Sequence, residues 1–327
     1  MRLVTFEATS GPPGGRLGAL LPDGGGVLDL GGAADRAPAF LSMLALIEAG
    51  DVAWARARAL LGEAPRGHVV GEGGYRLLAP LPIPAQFRDS MCFHKHIEQS
   101  FKATMKLRAQ AGGDPQQLRA AEAAAASFTV PEIYDRQPVW YKGNRFNVAD
   151  PEEVIPWPPF SALADFELEL ACVIGKPGRD LSPESALDHV FGFTIFNDFT
   201  ARDVQAAEMQ GMLGPAKGKD FDKANVFGPC IVTTDEIGDP NDLKMTARVN
   251  GELWCDGHSS TMHWSFGQLL AWISRGETLH PGEVIASGTV GDGCGLEHLR
   301  FLQDGDEVEL EVEKIGVLRN RISKPKG

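Results

Sequence analysis

The chain has 327 residues, of which 43% are hydrophobic, enough for one large domain or a large domain plus a small one. Its formal net charge of -13, with no cluster of Lys and Arg among aromatic residues, argues against nucleic acid as a partner. The five cysteines form no C-x-x-C pair, no secretory leader pattern opens the chain, and no apolar run approaches the ~20 residues that span a bilayer. The sequence therefore predicts a soluble, cytoplasmic protein with no membrane partner.

The N-terminal part predicts a small α/β domain over residues 1–82. Short strand patterns such as RLVTF and GVLDL alternate with Gly/Pro turns, and helical patterns follow near residues 38–61. The stretch LAPLPIPAQFRD then predicts an extended connector, because proline and the residue before it both disfavour helical geometry. We therefore expect a second, larger domain over residues 83–327.

This larger domain opens with helical patterns over about residues 94–137. The segment contains few large apolar residues, so we expect a surface insertion or lid beside His96. After Pro138, strand patterns such as FELELACVIG, VFGFTIFND and GEVIASGTV alternate with turns and three short helices. The pattern predicts a mostly β, α+β fold with antiparallel pairing and peripheral helices.

The segment DFELEL places alternate residues on opposite faces of a strand. Asp165, Glu167 and Glu169 share one face, which becomes apolar as soon as the strand reaches Ala171 and Val173. Buried carboxylates without partners cost several kcal/mol, and a hard cation removes that cost. The pattern leaves two interpretations open, a solvent-facing strand and a metal site. The segment EVELEVE near residue 310 shows what the solvent-facing alternative looks like.

The next strand pattern ends at Asp198, where polar residues begin a helix. Asp198 is therefore a candidate third oxygen ligand, in a set that suits Mg²⁺, Mn²⁺ or Ca²⁺. The alternative is that Asp198 or Thr200 only caps the helix.

Three other patterns point to chemistry less directly. His94-Lys-His96, and His258 with His263, suggest zinc, but no Cys or third His lies at the usual spacing. The glycine run over residues 287–295 lacks the Lys-Ser/Thr ending of a phosphate loop and the G-x-G-x-x-G spacing, so we interpret it as a flexible active-site loop.

Five motifs in order resemble the fumarylacetoacetate hydrolase family: FELELA, FNDFTARDVQ, GK-x-FD followed by GP, VNGELW, and SRGETLHPGEVIASGT. The resemblance covers about residues 85–322. It implies a mixed β-sandwich roll as the catalytic fold, commonly a homodimer, and a divalent metal, Mg²⁺, Mn²⁺ or Ca²⁺, held by Glu167, Glu169 and Asp198.

The resemblance also implies the catalytic groups. Members related to fumarylacetoacetase place an Asp seven residues before a catalytic His, a spacing that Asp89 and His96 share, so Asp89 is a candidate fourth ligand. Many small members place the partner of this His three residues later, where this chain has Gln99. Fumarylacetoacetase instead takes it from a late glycine-rich loop, which GCGLE resembles, so Glu297 is the expected partner and Glu98 the alternative.

The remaining implied residues bind the substrate. Arg202, Gln205 and Lys219 would bind substrate oxygens or a developing oxyanion. For Arg202 and Lys219, the alternative is a surface salt bridge. Tyr141 would line the pocket and Thr289 would hold a carboxylate. Met91 and Met209 stand where fumarylacetoacetase has pocket tyrosines, so we expect a different acyl group to be accepted.

We therefore expect a metal-dependent hydrolase that cleaves a carbon–carbon bond in an acylpyruvate or β-diketone acid, in aromatic catabolism. His96, oriented by Glu297, would activate water. A rival within the family is decarboxylation, tautomerisation or dehydration of a small 2-oxo acid at the same metal site. A rival of another class is a binding protein that has lost catalysis.

Overall fold

A computed structural model of the protein describes residues 1–10 and 13–324. The strands are β1 Arg2–Ala8, β2 Arg16–Leu20, β3 Val27–Asp29, β4 Val69–Val70, β5 Tyr75–Leu78, β6 Gln86–Ser90, β7 Trp140–Lys142, β8 Val148–Ala149, β9 Val154–Pro156, β10 Ala164–Asp165, β11 Leu168–Ile174, β12 Gly178–Arg179, β13 Val190–Asp198, β14 Thr200–Ala201, β15 Asn225–Thr233, β16 Lys244–Val249, β17 Glu252–His258, β18 Thr278–Leu279, β19 Glu283–Ala286, β20 Glu307–Val312 and β21 Gly316–Ser323.

Helices lie between these strands and at the edges of the sheets. The α-helices are α1 Leu30–Ala33, α2 Met43–Glu48, α3 Gly50–Glu63, α4 His94–Gly112, α5 Pro115–Ala126, α6 Ile133–Arg136, α7 Arg202–Glu208, α8 Thr234–Ile237 and α9 Phe266–Ile273. Short 3-10 helices cover Pro38–Phe40, Arg66–His68, Ala186–His189, Met209–Gly211, Ser259–Thr261 and Leu296–His298. The predicted α+β fold is confirmed.

Two sheets carry the architecture of the described residues. The larger has 12 strands, in the order β4-β3-β2-β1-β15-β13-β11-β19-β6-β7, with β5 paired to β1 and β8 to β15. The smaller has five strands, in the order β17-β16-β20-β21-β9. Strand β1 pairs with β15, with Arg2 opposite Val232, so the N-terminal strands extend the sheet that contains the later motifs. The domain boundary at residue 82 stays a prediction.

Strand β11 separates two apolar clusters, as a period of two requires. Leu168, Leu170 and Cys172 pack in one cluster, whereas Ala171 and Val173 pack in the other, which also contains side chains of helices α2 and α3. Glu167 and Glu169 have the same parity as Ala171 and Val173. Their face of the strand is therefore buried and does not meet solvent.

Five neighbouring strands, β13, β11, β19, β6 and β7, bring the predicted site residues to one end of the large sheet. The antiparallel register sets Glu169 opposite Phe196, two residues before the end of β13, and sets Asp89 opposite Tyr141. Strand β19 lies between β11 and β6 and leads directly into the glycine run. Candidate ligands from three separate parts of the sequence thus meet at one end of the sheet.

The glycine run over residues 287–295 is a wall of this region, almost entirely buried. The backbone N–H of Leu168 donates to the Gly293 carbonyl at 2.9 Å, and that of Val290 donates to the Leu168 carbonyl at 3.1 Å. Gly288 has φ +80°, and a Cβ there would lie 2.2 Å from the Ser90 carbonyl oxygen. Only glycine allows the run to lie this close to β6.

This close approach predicts different costs for two glycine substitutions. Gly288 and Gly305 both have left-handed φ values, +80° and +84°, but a Cβ at Gly305 meets nothing within 4 Å. We expect Gly305→Ala to lower the free energy of unfolding by about 1–2 kcal/mol, the cost of a Cβ at positive φ. Gly288→Ala should cost about 1–3 kcal/mol more, because of the clash. Urea denaturation of both variants measures the difference, and equal costs would contradict the proposed packing.

Candidate metal-binding and active site

A cavity of about 280 Å³ lies between this end of the sheet and helix α4. All but two of the predicted site residues line it, and the exceptions are Asp198 and Glu297. Those two side chains lie directly behind the lining. Asp198 accepts a hydrogen bond from the hydroxyl of Tyr141, and Glu297 contacts His96. The structure therefore brings together residues that the sequence separates by up to about two hundred positions.

Three carboxylates form a buried oxygen-only cluster at the cavity. Asp89, Glu169 and Asp198 each offer an oxygen, and these oxygens all lie within 4.8 Å of one another. One oxygen of Asp89 and one of Asp198 are buried without any hydrogen-bond partner. Such orphaned acceptors cost free energy unless a cation binds them. The donor set fits a hard divalent cation such as Mg²⁺, Mn²⁺ or Ca²⁺.

The pKa values of the three carboxylates reflect the same free-energy cost of burying negative charge. Burial raises the pKa of Asp89 to about 6 and that of Asp198 to about 8, although the charge of Lys219 opposes both shifts. Burial, and then the charges of Asp89 and Glu167, raise the pKa of Glu169 well above its ordinary value. The cluster thus resists carrying its full negative charge, which is the electrostatic condition that a divalent cation relieves.

Glu167 is held differently from the other predicted ligands. It accepts a hydrogen bond from Nη2 of Arg202 at 2.6 Å and another from Nζ of Lys219. Burial alone would raise the pKa of Glu167, but the charges of Arg202 and Lys219 lower it below its ordinary value. Lys219 also donates to Asp198 at 2.5 Å. Arg202 and Lys219 are buried in the site, so they are not surface salt bridges.

His96 and Glu297 form the expected pair. The Nδ1 atom of His96 lies 3.0 Å from Oε1 of Glu297, whose side chain is inaccessible to solvent. The other Glu297 oxygen accepts from the backbone N–H of Cys294 at 3.0 Å. Glu98, the alternative partner, instead pairs with Lys102 on the outer face of α4. This arrangement leaves Nε2 of His96 as the nitrogen free to exchange protons.

Gln99, the departure from the family pattern, has a different contact. Its Nε2 donates to Asp292 at 2.6 Å, and its Oε1 accepts from the Asp292 backbone N–H at 3.3 Å. Gln99 therefore docks α4 onto the glycine run that leads to Glu297. An amide at this position suits docking, since it donates and accepts at once.

Two predicted substrate-binding residues contact the carboxylates. The Tyr141 hydroxyl donates to Asp198 at 3.1 Å, and burial raises its pKa well above the ordinary value, so the donor proton is retained. The Thr289 hydroxyl lies 3.3 Å from Glu169, which also accepts from the backbone N–H of Gly288 at 3.0 Å. Both residues orient the carboxylates at the edge of the cavity.

Met91 and Met209 line the cavity, as predicted from the positions of the family tyrosines. Met209 lies at the end of α7 and is 40% exposed. The hydroxyl of Tyr134, from helix α6, donates to Sδ of Met91 at 3.7 Å. The helical insertion thus places a phenol beside Met91, where the motif comparison had indicated that a tyrosine was lost.

Helix α4 contributes lining residues that the sequence analysis missed. They follow the predicted His96 at helical spacing along the same inner face: Ser100, Phe101, Thr104, Met105 and Arg108. Arg108 lies furthest along the helix, and its Nη2 donates to the Ala206 carbonyl at 2.6 Å. The spacing from His96 could have identified this face, because residues four and eight positions after it share its side of the helix.

Asp165 is the second feature that the sequence analysis underestimated. Its carboxylate is fully buried and accepts from Nε of Arg202 at 2.7 Å, from the Gly295 backbone N–H at 2.7 Å and from that of Leu296 at 2.9 Å. Asp165 therefore joins three parts of the site: the carboxylate strand, Arg202, and the 3-10 helix that carries Glu297. It is a positioning residue, since it acts through these groups.

This network predicts the effect of Asp165→Asn. Asparagine loses the charge that pairs with Arg202 and turns a donor group towards backbone N–H donors. We expect the free energy of unfolding to fall by about 3 kcal/mol or more. The control is Glu252→Gln, whose partner Arg300 forms an exposed ion pair and whose loss should cost less than about 1 kcal/mol. Similar denaturation midpoints for the two variants would contradict the anchoring role of Asp165.

Curated relatives of the chain include oxaloacetate tautomerases. YisK of Bacillus subtilis (strain 168) is 40% identical over 193 residues, which cover 59% of this chain and 61% of that protein. Mitochondrial fahd2 of Xenopus laevis is 31% identical over 326 residues, which cover 98% of this chain and 90% of the relative. Both are named oxaloacetate tautomerases.

Solved structures share the fold. A fumarylacetoacetate hydrolase from Exiguobacterium antarcticum has a TM-score of 0.72 at 29% identity and covers 99% of this chain and all of its own. Maleylpyruvate hydrolase from Sphingobium sp. SYK-6, solved with manganese(II) and pyruvate, has a TM-score of 0.71 at 22% identity, covering both chains fully. At that identity the second likeness shows the fold alone.

The curated relatives correct the predicted reaction. The expectation of a hydrolase acting on carbon–carbon bonds is wrong, because three relatives that align with nearly the whole chain are named oxaloacetate tautomerases. The physical reason is that both reactions pass through an enolate of a 2-oxo acid, so the same carboxylates and cationic groups serve either. The motifs encode that shared chemistry and do not encode an attacking water.

Neither the cytoplasmic location nor the dimer is tested by these relatives, some of which are named as mitochondrial. Among the described residues, no helix combines the length and apolar character that crossing a bilayer requires. The family model described as "Fumarylacetoacetate (FAA) hydrolase C-terminal" matches residues 112–323. Together with the relative that aligns over 98% of the chain, this match shows that the protein belongs to the fumarylacetoacetate hydrolase family.

Proposed function

We propose that the protein is a divalent-metal-dependent tautomerase that interconverts the enol and keto forms of a small 2-oxo dicarboxylic acid such as oxaloacetate. In this reaction a proton leaves the enol hydroxyl and a proton is added to C3. Substrate and product have the same composition, and no water is consumed. The names of the relatives that align with nearly the whole chain support this reaction class.

The observation that carries the proposal is the pair of His96 and Glu297 at the wall of a cavity whose other wall holds the carboxylate cluster. Glu297 accepts a hydrogen bond from the Nδ1–H group of His96, which fixes the tautomer in which the unprotonated Nε2 is the base. Nε2 can then take a proton from the substrate and return one to it. A single base of this kind is sufficient for proton transfer between oxygen and carbon.

The carboxylates Asp89, Glu169 and Asp198 would hold the cation, with Glu167 as the further candidate ligand. When bound there, a divalent cation supplies Lewis acidity that polarises the 2-oxo group and lowers the charge cost of the enolate. Lys219 and Arg202, buried beside Glu167, provide fixed positive charge for substrate oxygens. The Gln205 carbonyl accepts from Nη1 of Arg202 at 2.9 Å, which leaves its NH₂ group as a donor towards the cavity.

The tautomerase assignment predicts the effect of His96→Gln. Ketonisation of enol-oxaloacetate by the Mg²⁺-loaded or Mn²⁺-loaded enzyme can be measured as the loss of enol absorbance. We expect its kcat/KM to fall about 10²–10⁴-fold, because general base catalysis contributes that much. Glu297→Gln should change activity in the same direction. Glu98→Gln, on the outer face of the same helix, is the matched control and should behave like the wild type.

Product analysis checks the reaction class. In D₂O, NMR should show deuterium entering C3 with no stoichiometric pyruvate, and removing the metal with a chelator should abolish the catalysed rate. Stoichiometric release of CO₂ and pyruvate would replace the tautomerase with a decarboxylase. Ketonisation by His96→Gln at the wild-type rate would contradict the assignment of His96 as the base.

A further inference from the structure

Two histidines that the sequence separates by 169 positions, and an aspartate, meet outside the cavity, at the base of the helical insertion. His94 is the first residue of α4, Asp135 lies in α6 near the end of the insertion, and His263 follows the 3-10 helix Ser259–Thr261. One ligand atom from each of the three lies within 4.8 Å of the other two. The carboxylate cluster described above shares no residue with this group.

The separations between these atoms suit a bound ion. Oδ1 of Asp135 lies 3.5 Å from Nε2 of His94 and 3.9 Å from Nε2 of His263. Ligand atoms about 2.1 Å from a tetrahedral zinc ion lie roughly 3.4 Å apart. The carboxylate thus faces both imidazoles across gaps that are close to this spacing.

We propose that His94, Asp135 and His263 form a second metal site, specific for a borderline transition-metal ion such as Zn²⁺. Two imidazoles and a carboxylate are a ligand set that zinc accepts, with solvent water in the fourth position. The set contains too few oxygens for Mg²⁺ or Ca²⁺. The two sites of the protein therefore differ in the ions they select.

The surroundings leave the imidazole nitrogens available. Nε2 of His94 lies 3.4 Å from the Tyr134 carbonyl, a long contact that an ion can replace, since the indole N–H of Trp264 donates to the same carbonyl at 2.7 Å and keeps it satisfied. The two imidazole rings stack, with centroids 3.6 Å apart and an angle of 14° between their planes. Each ring has to turn about its Cβ–Cγ bond before both nitrogens point at one ion. Asp135 is 55% exposed, so its side chain can follow this movement.

The position of the site gives the bound ion a structural consequence. The backbone N–H of His263 donates to the Cys92 carbonyl at 2.8 Å, which fixes this segment beside the start of α4. A zinc ion would link that segment to both ends of the insertion, two residues from His96. It would tie down the base of the helices that cover the cavity.

The test is zinc binding to the full-length protein saturated with Mg²⁺. Competition with a chromophoric chelator should show one equivalent of Zn²⁺ bound in the wild type while Mg²⁺ is retained. His263→Gln should weaken this binding at least about tenfold, since even the groups that orient metal ligands contribute 10–100-fold. His258→Gln is the matched control, because His258 is also a half-exposed histidine facing an aspartate but lies outside the group. Its zinc affinity should equal that of the wild type.

Two further measurements keep the outcome clear. Asp135→Asn, on the exposed surface, should weaken zinc binding as His263→Gln does, and hydrogen exchange in residues 133–137 should slow on adding Zn²⁺ only in proteins that bind it. Zinc that displaces Mg²⁺ with unchanged affinity in His263→Gln would overturn the proposal, as would absence of zinc binding in the Mg²⁺-saturated wild type. Ketonisation by the Mg²⁺ enzyme tests the catalytic proposal separately.

Discussion

The excess of buried negative charge at one end of the large sheet is the constraint on which the site depends. Among the described residues, two cationic side chains, Lys219 and Arg202, accompany five carboxylates that are buried there. The carboxylates are Asp89, Asp165, Glu167, Glu169 and Asp198. Asp165 and Glu167 consume most of the guanidinium of Arg202. Of the remaining carboxylates, Asp198 contacts the ammonium group of Lys219, which also binds Glu167. Burial first, and then repulsion from Glu167 and Asp89, raises the pKa of Asp198, and one oxygen each of Asp89 and Asp198 has no hydrogen-bond partner. A divalent cation bound there would supply the missing positive charge.

The sequence could predict the buried carboxylates of strand β11, because the alternation of polar and apolar residues lies within one short segment. The alternation at Glu167 and Glu169 ends in Ala171 and Val173, and the structure buries that whole face. The strand β20 shows the contrast, since Val308, Leu310 and Val312 are buried while Glu311 is exposed. What separates the two strands is the character of the residues that follow the acidic ones on the same face. The end of the next strand pattern added Asp198, and the family resemblance added Asp89, which no local pattern connects to Glu167.

Contacts between distant segments could not be predicted from the residues alone. Glu297 reaches His96 because Asp165 holds the preceding turn and Gln99 docks α4 onto the glycine run. None of these contacts has a sequence period. The search for zinc ligands by spacing has the same limit, since it compared His94 with its neighbour His96 and His263 with His258. The fold instead stacks His94 on His263. Spacing rules detect metal sites built within one segment and miss those that a tertiary contact assembles.

The predicted reaction was wrong because the motifs and the site residues are compatible with hydrolysis and with tautomerisation alike. Hydrolysis and tautomerisation of a 2-oxo acid need the same stabilised enolate, and they differ in what reacts with it next. Helix α4 is the element that can make this difference. It carries His96 beside the carboxylate cluster and lines the cavity with five further residues on the same face. A hydrolase must also place an attacking water beside the substrate carbonyl, whereas the proposed tautomerase would need only proton transfer by His96 to the enolate carbon.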